Sequence, residues 1–274
     1  MKILQQTHKI LIGCLVLIAC NKNDDNSNPT PVLPATPGVV SVEGIAAWDA
    51  LSQTEKAKVT SWNTLFLHQS VGTDLEDGSD ENGYKFEYYG PDQQLSSGLS
   101  GGIFVDVSPG LSNGNPMEKL AVFKANALRH KGSLKIAIMK FGYADVREND
   151  LAAVEAEYQK TVEAIKAAGI RVLHITPPLV YSTDENPAKM KMRTWMLETF
   201  KQDIIFDFQD MESQTNGSRC QVNNTWQICQ ANRSTASCPS KGQGVDGDGA
   251  GHLCQTAAAR ISKAFLYAIY QAGK

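Results

Sequence analysis

The chain has 274 residues, 42% hydrophobic and 20% charged, and its 26 Lys and Arg against 29 Asp and Glu leave a formal charge of −3. No Lys/Arg run or basic stripe interrupts this balance, which excludes nucleic acid as an electrostatically held partner. The length allows one sizeable α/β domain with a single core.

Lys2 and Lys9 precede the apolar run ILIGCLVLIAC, which is too short for an ordinary membrane span and fits the core of an export signal. The run ends in LIAC, which resembles the lipobox of bacterial lipoproteins; the resemblance implies a lipidated Cys20 as the new N-terminus and a membrane partner through that anchor. Residues 1–20 are therefore read as signal and lipobox, and the alternative is an ordinary secretory signal. Either way the protein is expected to be exported. The following NKNDDNSNPTPVLPATPG is rich in Asn, Asp and Pro and buries too little to offset ordering, so residues 21–43 are read as a disordered tether and 44–274 as one domain. NKNDD also resembles the acidic surface-export tags of some Bacteroidetes lipoproteins. Removing residues 1–19 takes away two lysines and moves the formal charge from −3 to −5.

SQTE at 52–55 has the form of a capping box opening a helix that ends near Trp62, and the strand TLFLH follows. A Gly/Asp/Ser-rich stretch from Gly72 to Gly83 is expected to be loop, then YKFEYY a short strand, then a second glycine-rich loop from Ser96 to Asn115. Asn115, Pro116 and Gly132 bracket a helix with Leu120, Phe123, Ala127 and Leu128 at helical spacing. SLKIAIMKFG fits a strand covered on both faces. A helix over Asp150–Ala168 stops at Gly169, IRVLHIT is a second buried strand, and a helix near Ala188–Lys201 leads into the strand DIIFDF. Alternating strands and helices imply a parallel sheet with helices on both faces, and ligands then lie beyond the strands' carboxyl ends.

From Met211 to Cys254 the chain has little period, and a last amphipathic helix from about Gln255 to Tyr270 closes the core. Of six cysteines, Cys14 and Cys20 lie in the signal. Cys220, Cys229, Cys238 and Cys254 are expected to form two disulfides, with three pairings open. Their spacings of nine, nine and sixteen contain no CxxC pair, which argues against zinc. DGDGAG loosely suggests a calcium loop, but an EF-hand starting at Asp246 would need ligands at 250 and 257, and both are alanine. No metal or cofactor is expected.

Ser70 sits where a buried strand turns into a glycine-containing loop. A serine nucleophile also needs a base and a group to orient that base. His130 closes a helix among basic residues and His174 lies inside a buried strand. His252 instead follows the Gly/Asp loop and precedes the last helix, with Asp246 and Asp248 nearby as possible orienters. His68, two residues before Ser70 on the same face of an extended strand, is a candidate for contacting substrate or for holding the loop.

From Leu65 to Ile269 the order of short motifs resembles the SGNH (GDSL-like) hydrolases, in the branch carrying HQSVG: FLHQSVG, NGNP before a helix, MKFGYAD, ITPPL, IIFDFQDMES and DGAGHL. The resemblance implies a three-layer flavodoxin-like fold and a serine esterase mechanism, with a small-molecule or glycan ester as the expected substrate; the protein is expected to be a monomer. It assigns Ser70 as nucleophile, His252 as base, and the N–H groups of Ser70 and Gly114 as oxyanion donors. Asn113, Asn115 and Asp145 join His68 as candidates for the oxyanion and substrate pocket. Two positions depart from the pattern. Ala144 stands where the family has an asparagine donor. In the last block Gly249 replaces the aspartate three residues before the histidine; Asp248 is the favoured substitute and Asp246 the second, and the remaining alternative is that no carboxylate serves and a backbone carbonyl orients the ring. The competing expectation is a glycan-binding or structural lipoprotein that keeps the fold with weakened catalysis.

Overall fold

Residues 38–89, 101–106, 111–247 and 250–274 are described by the computed structural model. The signal, Cys20 and most of the tether lie outside them, as does Asp248. Among the described residues, seven strands form one parallel sheet: β1 (Val39–Val40), β2 (Asn63–Leu67), β3 (Phe86–Tyr89), β4 (Gly102–Asp106), β5 (Ile136–Met139), β6 (Arg171–Ile175) and β7 (Ile204–Phe206), in the order β1-β7-β6-β5-β2-β4-β3. Within it, β4-β2-β5-β6-β7 is the flavodoxin-like 2-1-3-4-5 arrangement, and β3 and β1 extend its two edges. The fold class is the α/β three-layer type expected.

The strands' two-residue period divides the core. Phe66, Ile136 and Ile138 pack on one face, in a cluster with Trp48, Val59, Leu75 and Phe265. Leu65, Leu67, Ala137 and Met139 pack on the other, with Phe123, Tyr158 and Met192. Helices α1 (Glu43–Ala50), α2 (Gln53–Ser61) and α3 (Val71–Glu81) contribute to the first cluster; α4 (Pro116–Arg129), α5 (Leu151–Ala167) and α6 (Asn186–Thr199) cover the opposite face. The short α7 (Phe208–Glu212) and the long α8 (Gln255–Gly273) return to the first. Ser52 and Glu55 form the capping box of α2, and Gly169, at φ +82°, stops α5.

Three expectations are corrected. The segment Gly72–Gly83 is mostly helix α3, not loop. Its glycines and aspartates are poor helix formers, but α3 lies against α8 so closely that a Cβ on Gly78 would sit 2.2 Å from the Ala258 carbonyl oxygen. Ser262 Oγ also donates to the Leu75 carbonyl at 2.8 Å. Tertiary packing therefore decides the local structure. The second glycine-rich stretch contains β4, which is introduced by Gly101 and Gly102 at φ +97° and +128°. The sheet also includes residues before 44: Val39 and Val40 pair with Ile205 and Phe206, so the last residues assigned to the tether belong to it.

The segment after α7 is built from two small antiparallel hairpins, β8 (Gln214–Thr215) with β9 (Ser218–Arg219) and β10 (Gln221–Val222) with β11 (Thr225–Trp226). Their turns use Asn216, Gly217, Asn223 and Asn224 at positive φ, the demand of tight hairpin turns. The disulfides pair consecutive cysteines, Cys220 with Cys229 and Cys238 with Cys254, each with Cα atoms 5.3 Å apart.

Candidate active site

The order in which strands are added reverses at β2: the chain reaches β4 and β3 on one side, and β5, β6 and β7 on the other. A crevice forms at the carboxyl ends beside such a switch point, and β2 delivers Ser70 into it. Ser70 caps α3 with φ 57° and ψ −115°, a conformation that costs about 1–3 kcal/mol for a residue with a Cβ. The sharp turn lifts the side chain from the strand end into an open cleft of about 660 Å³, which His68, Gln69, Asn113, Tyr143 and His252 also line.

Ser70 Oγ lies 2.8 Å from His252 Nε2, and His252 Nδ1 lies 2.9 Å from Asp74 Oδ2. The Asp74 carboxylate also accepts the Leu253 N–H at 3.0 Å and the Ser240 hydroxyl at 2.6 Å. Because a carboxylate faces Nδ1, that nitrogen carries the proton, leaving Nε2 as the acceptor for the serine hydroxyl. This is the nucleophile, base and orienter geometry of acyl transfer.

The orienting position at Nδ1 is therefore occupied by Asp74; Asp248, favoured from the sequence, lies outside the described residues. Asp74 is buried one helical turn after Ser70, and four-residue spacing places both on one side of α3. Asp246 acts on the backbone instead, accepting the His252 N–H at 2.6 Å. The Cys238–Cys254 disulfide closes two residues beyond His252, fixing the start of α8 and the loop that carries the imidazole.

The oxyanion candidates separate clearly. The Gly114 N–H donates to Asp145 Oδ1 at 2.8 Å, so this amide is already engaged. Asp145 is buried; it also accepts from the Gly142 N–H and from Lys119 Nζ, each at 2.5 Å, and so ties the loop after β4 to the loop after β5 without lining the cleft. Asn115 Nδ2 donates to Ser112 Oγ at 2.7 Å, at an exposed position. Asn113 does line the cleft. Its Oδ1 lies so close above Gly142 that a Cβ there would come within 3.1 Å, which places the amide beside the loop where Ala144 lacks one.

His68 is 8% exposed, and neither ring nitrogen reaches solvent or a well-formed hydrogen bond. Its Nε2 lies 3.4 Å from Glu76 Oε2, and a Cβ on Gly72 would come within 2.3 Å of the His68 side chain. Burial holds its pKa below the ordinary histidine value, against the opposing pull of Glu76, so it is a neutral wedge under the start of α3. Tyr143 meets His252 edge-on with ring centroids 6.1 Å apart. Burial raises its pKa, as does the charge of Asp246, and a side-chain hydrogen bond with Ser70 works the other way. Its phenol thus remains a proton donor at neutral pH. Beneath the site, Lys140 is fully buried and donates to the Phe141 carbonyl at 3.0 Å; burial, reinforced by Lys119, lowers its pKa to about 7. No cluster of metal-binding side chains occurs among the described residues.

No protein-family model matches the chain, and a search of curated proteins returns no match. Among solved structures, one described as a "putative acylhydrolase" from Bacteroides fragilis NCTC 9343 is similar over 83% of this chain and 99% of its own, at 12% identity and a TM-score of 0.46. A likeness this distant bears on neither mechanism nor substrate.

Proposed function

We propose that the protein is a serine esterase that transfers an acyl group from an ester to water. The observation that carries this is the hydrogen-bonded line from Ser70 through His252 to Asp74, with 2.8 and 2.9 Å contacts, starting from a strained residue at the sheet's switch point. His252 Nε2 takes the Ser70 proton as Oγ attacks the ester carbonyl. The resulting C–O⁻ is held by the Ser70 N–H at the start of α3 and by the Asn113 side-chain amide. His252 then protonates the leaving alcohol; in the second half it takes a proton from the attacking water and returns it to Ser70 Oγ as the acyl–Oγ bond breaks and the acid is released. Losing a single oxyanion donor costs about 100-fold or more in comparable enzymes, so replacement of the missing Ala144 amide by Asn113 is central to the rate.

An exported, lipid-anchored esterase of this kind would act on acyl groups, acetyl above all, carried by glycans at the cell envelope. Cys20 and the export run support the location, and the resemblance to SGNH hydrolases supports the substrate class. The second reading, a glycan-binding lipoprotein with little turnover, draws on Ala144 and on the engagement of the Gly114 N–H by Asp145.

Hydrolysis of a small acetyl ester by wild type, Ser70→Ala and His252→Ala separates the two. Turnover is expected in wild type and a loss of at least about 10³-fold in either variant. Absence of wild-type turnover, or a Ser70→Ala rate equal to wild type, would sink the esterase.

A further inference from the structure

Two buried polar groups beside the cleft are unused by the acyl-transfer chemistry: His68 and Glu76. Glu76 leads outward to an unusual surface residue. Tyr88, near the end of edge strand β3, is 54% exposed and lines the same cleft as Ser70. Its hydroxyl donates to Glu76 Oε1, while Glu76 Oε2 faces His68. An exposed tyrosine ordinarily turns its hydroxyl to water and its ring inward. Here the hydroxyl is instead tied to a buried carboxylate, which holds the exposed side chain in one orientation.

The rest of the cleft narrows what such a ring would receive. Among the described residues lining it, none is Lys, Arg, Asp or Glu; Gln69, Thr73, Asn113 and Gln243 supply neutral donors and acceptors. Among these described residues a phosphate or carboxylate ester would meet no Lys or Arg. A polyhydroxylated ring suits both features: its C–H face packs on an aromatic plane, and its hydroxyls pair with amides.

We propose that Tyr88 is a fixed platform for a pyranose ring, making the alcohol side of the substrate a neutral sugar. The proposal rests on the esterase reading for the bond cleaved, but the sugar contact is testable apart from it. Glu76 and His68 are positioning residues behind the platform, and Gly72 leaves the space that the His68 ring fills.

The experiment compares an acetylated methyl glucopyranoside with glyceryl triacetate as substrates for the full chain, its Tyr88→Ala variant and its Tyr88→Phe variant. Tyr88→Ala is expected to lose about tenfold in kcat/KM on the sugar ester, mainly through KM, and to stay within about twofold on the triacetate. Tyr88→Phe keeps the ring without its tether and is expected to fall between. Equal losses on both esters, or none on the sugar ester, would overturn the platform. If wild type turns over neither ester, the esterase reading fails, and calorimetric binding of the same pyranoside to Ser70→Ala and to Ser70→Ala with Tyr88→Ala decides the platform alone. Weakening by about tenfold on losing the ring supports it, and equal or undetectable binding in both overturns it.

Discussion

Ser70 and His252 meet 2.8 Å apart from distant parts of the chain, and each stands at a marked boundary that makes it legible in the sequence, one where an apolar strand runs into a polar turn and one just before an amphipathic helix. Asp74 was not legible, for a physical reason. It lies in a run of glycines and aspartates that local propensity assigns to loop, and only a helix puts it one turn from Ser70. Once α3 is helical, a carboxylate four residues after the nucleophile is the natural candidate. Lys140 gives a residue-scale test of the polar interior below the site. Lys119, Asp145, Asp74 and Glu212 are the charged groups that act on it, and its folded pKa of about 7 lies below its ordinary 10.5. Between those values the unfolded chain holds a proton that the folded chain has released, so this group makes stability rise with pH across that window. Below about pH 7 both states are protonated and the full penalty of burying the charge applies. Glu212, raised well above 4.5 by burial, contributes with the opposite slope from its ordinary value up to its raised one. Lys140→Met is therefore expected to stabilise the protein by a few kcal/mol (~2–4) at pH 6, with the gain shrinking toward pH ~10. Denaturant titrations at several pH values check this; a pH-independent difference would contradict it.

At the scale of elements, α3 shows how a helix is imposed by its neighbour. Ordinary propensity makes Gly→Ala in a helix stabilising by about 1 kcal/mol. At Gly78 the opposite is expected, because the added methyl would lie 2.2 Å from the Ala258 carbonyl oxygen and 2.5 Å from Ser262 Oγ. Forcing α3 away from α8 should cost about 1–3 kcal/mol and, since α3 carries both Ser70 and Asp74, should lower activity as well. Thermal melts and ester turnover of Gly78→Ala test this, and a stabilised variant with full activity would show that the contact does not constrain the helix. The helices and strands with strong period, β5, β6, α4, α5 and α8, agree with expectation to within a few residues. The misses, α3, β4 and β1, are elements whose glycines or short length hide the period, and their conformation is set by partners distant in sequence.

For the molecule as a whole, the parallel sheet was readable from the alternation of strands and helices, and its carboxyl edge was readable as the functional face. What the order of strands adds is the position of β2 at the switch point, flanked by the loops that bring Asn113 and Gly142 toward Ser70. The disulfide-held segment then returns His252 from the far end of the chain to the same edge. The central claim is that these three distant segments make one reactive serine. Treating the protein with a fluorophosphonate and mapping the adduct by peptide mass spectrometry tests it most directly, across wild type, Ser70→Ala, Asp74→Asn and Asp248→Ala. The expected result is one adduct on Ser70, absent in Ser70→Ala, formed about 10³–10⁴-fold more slowly in Asp74→Asn and at the wild-type rate in Asp248→Ala. An unlabelled Ser70, or a rate that depends on Asp248 and not on Asp74, would contradict it.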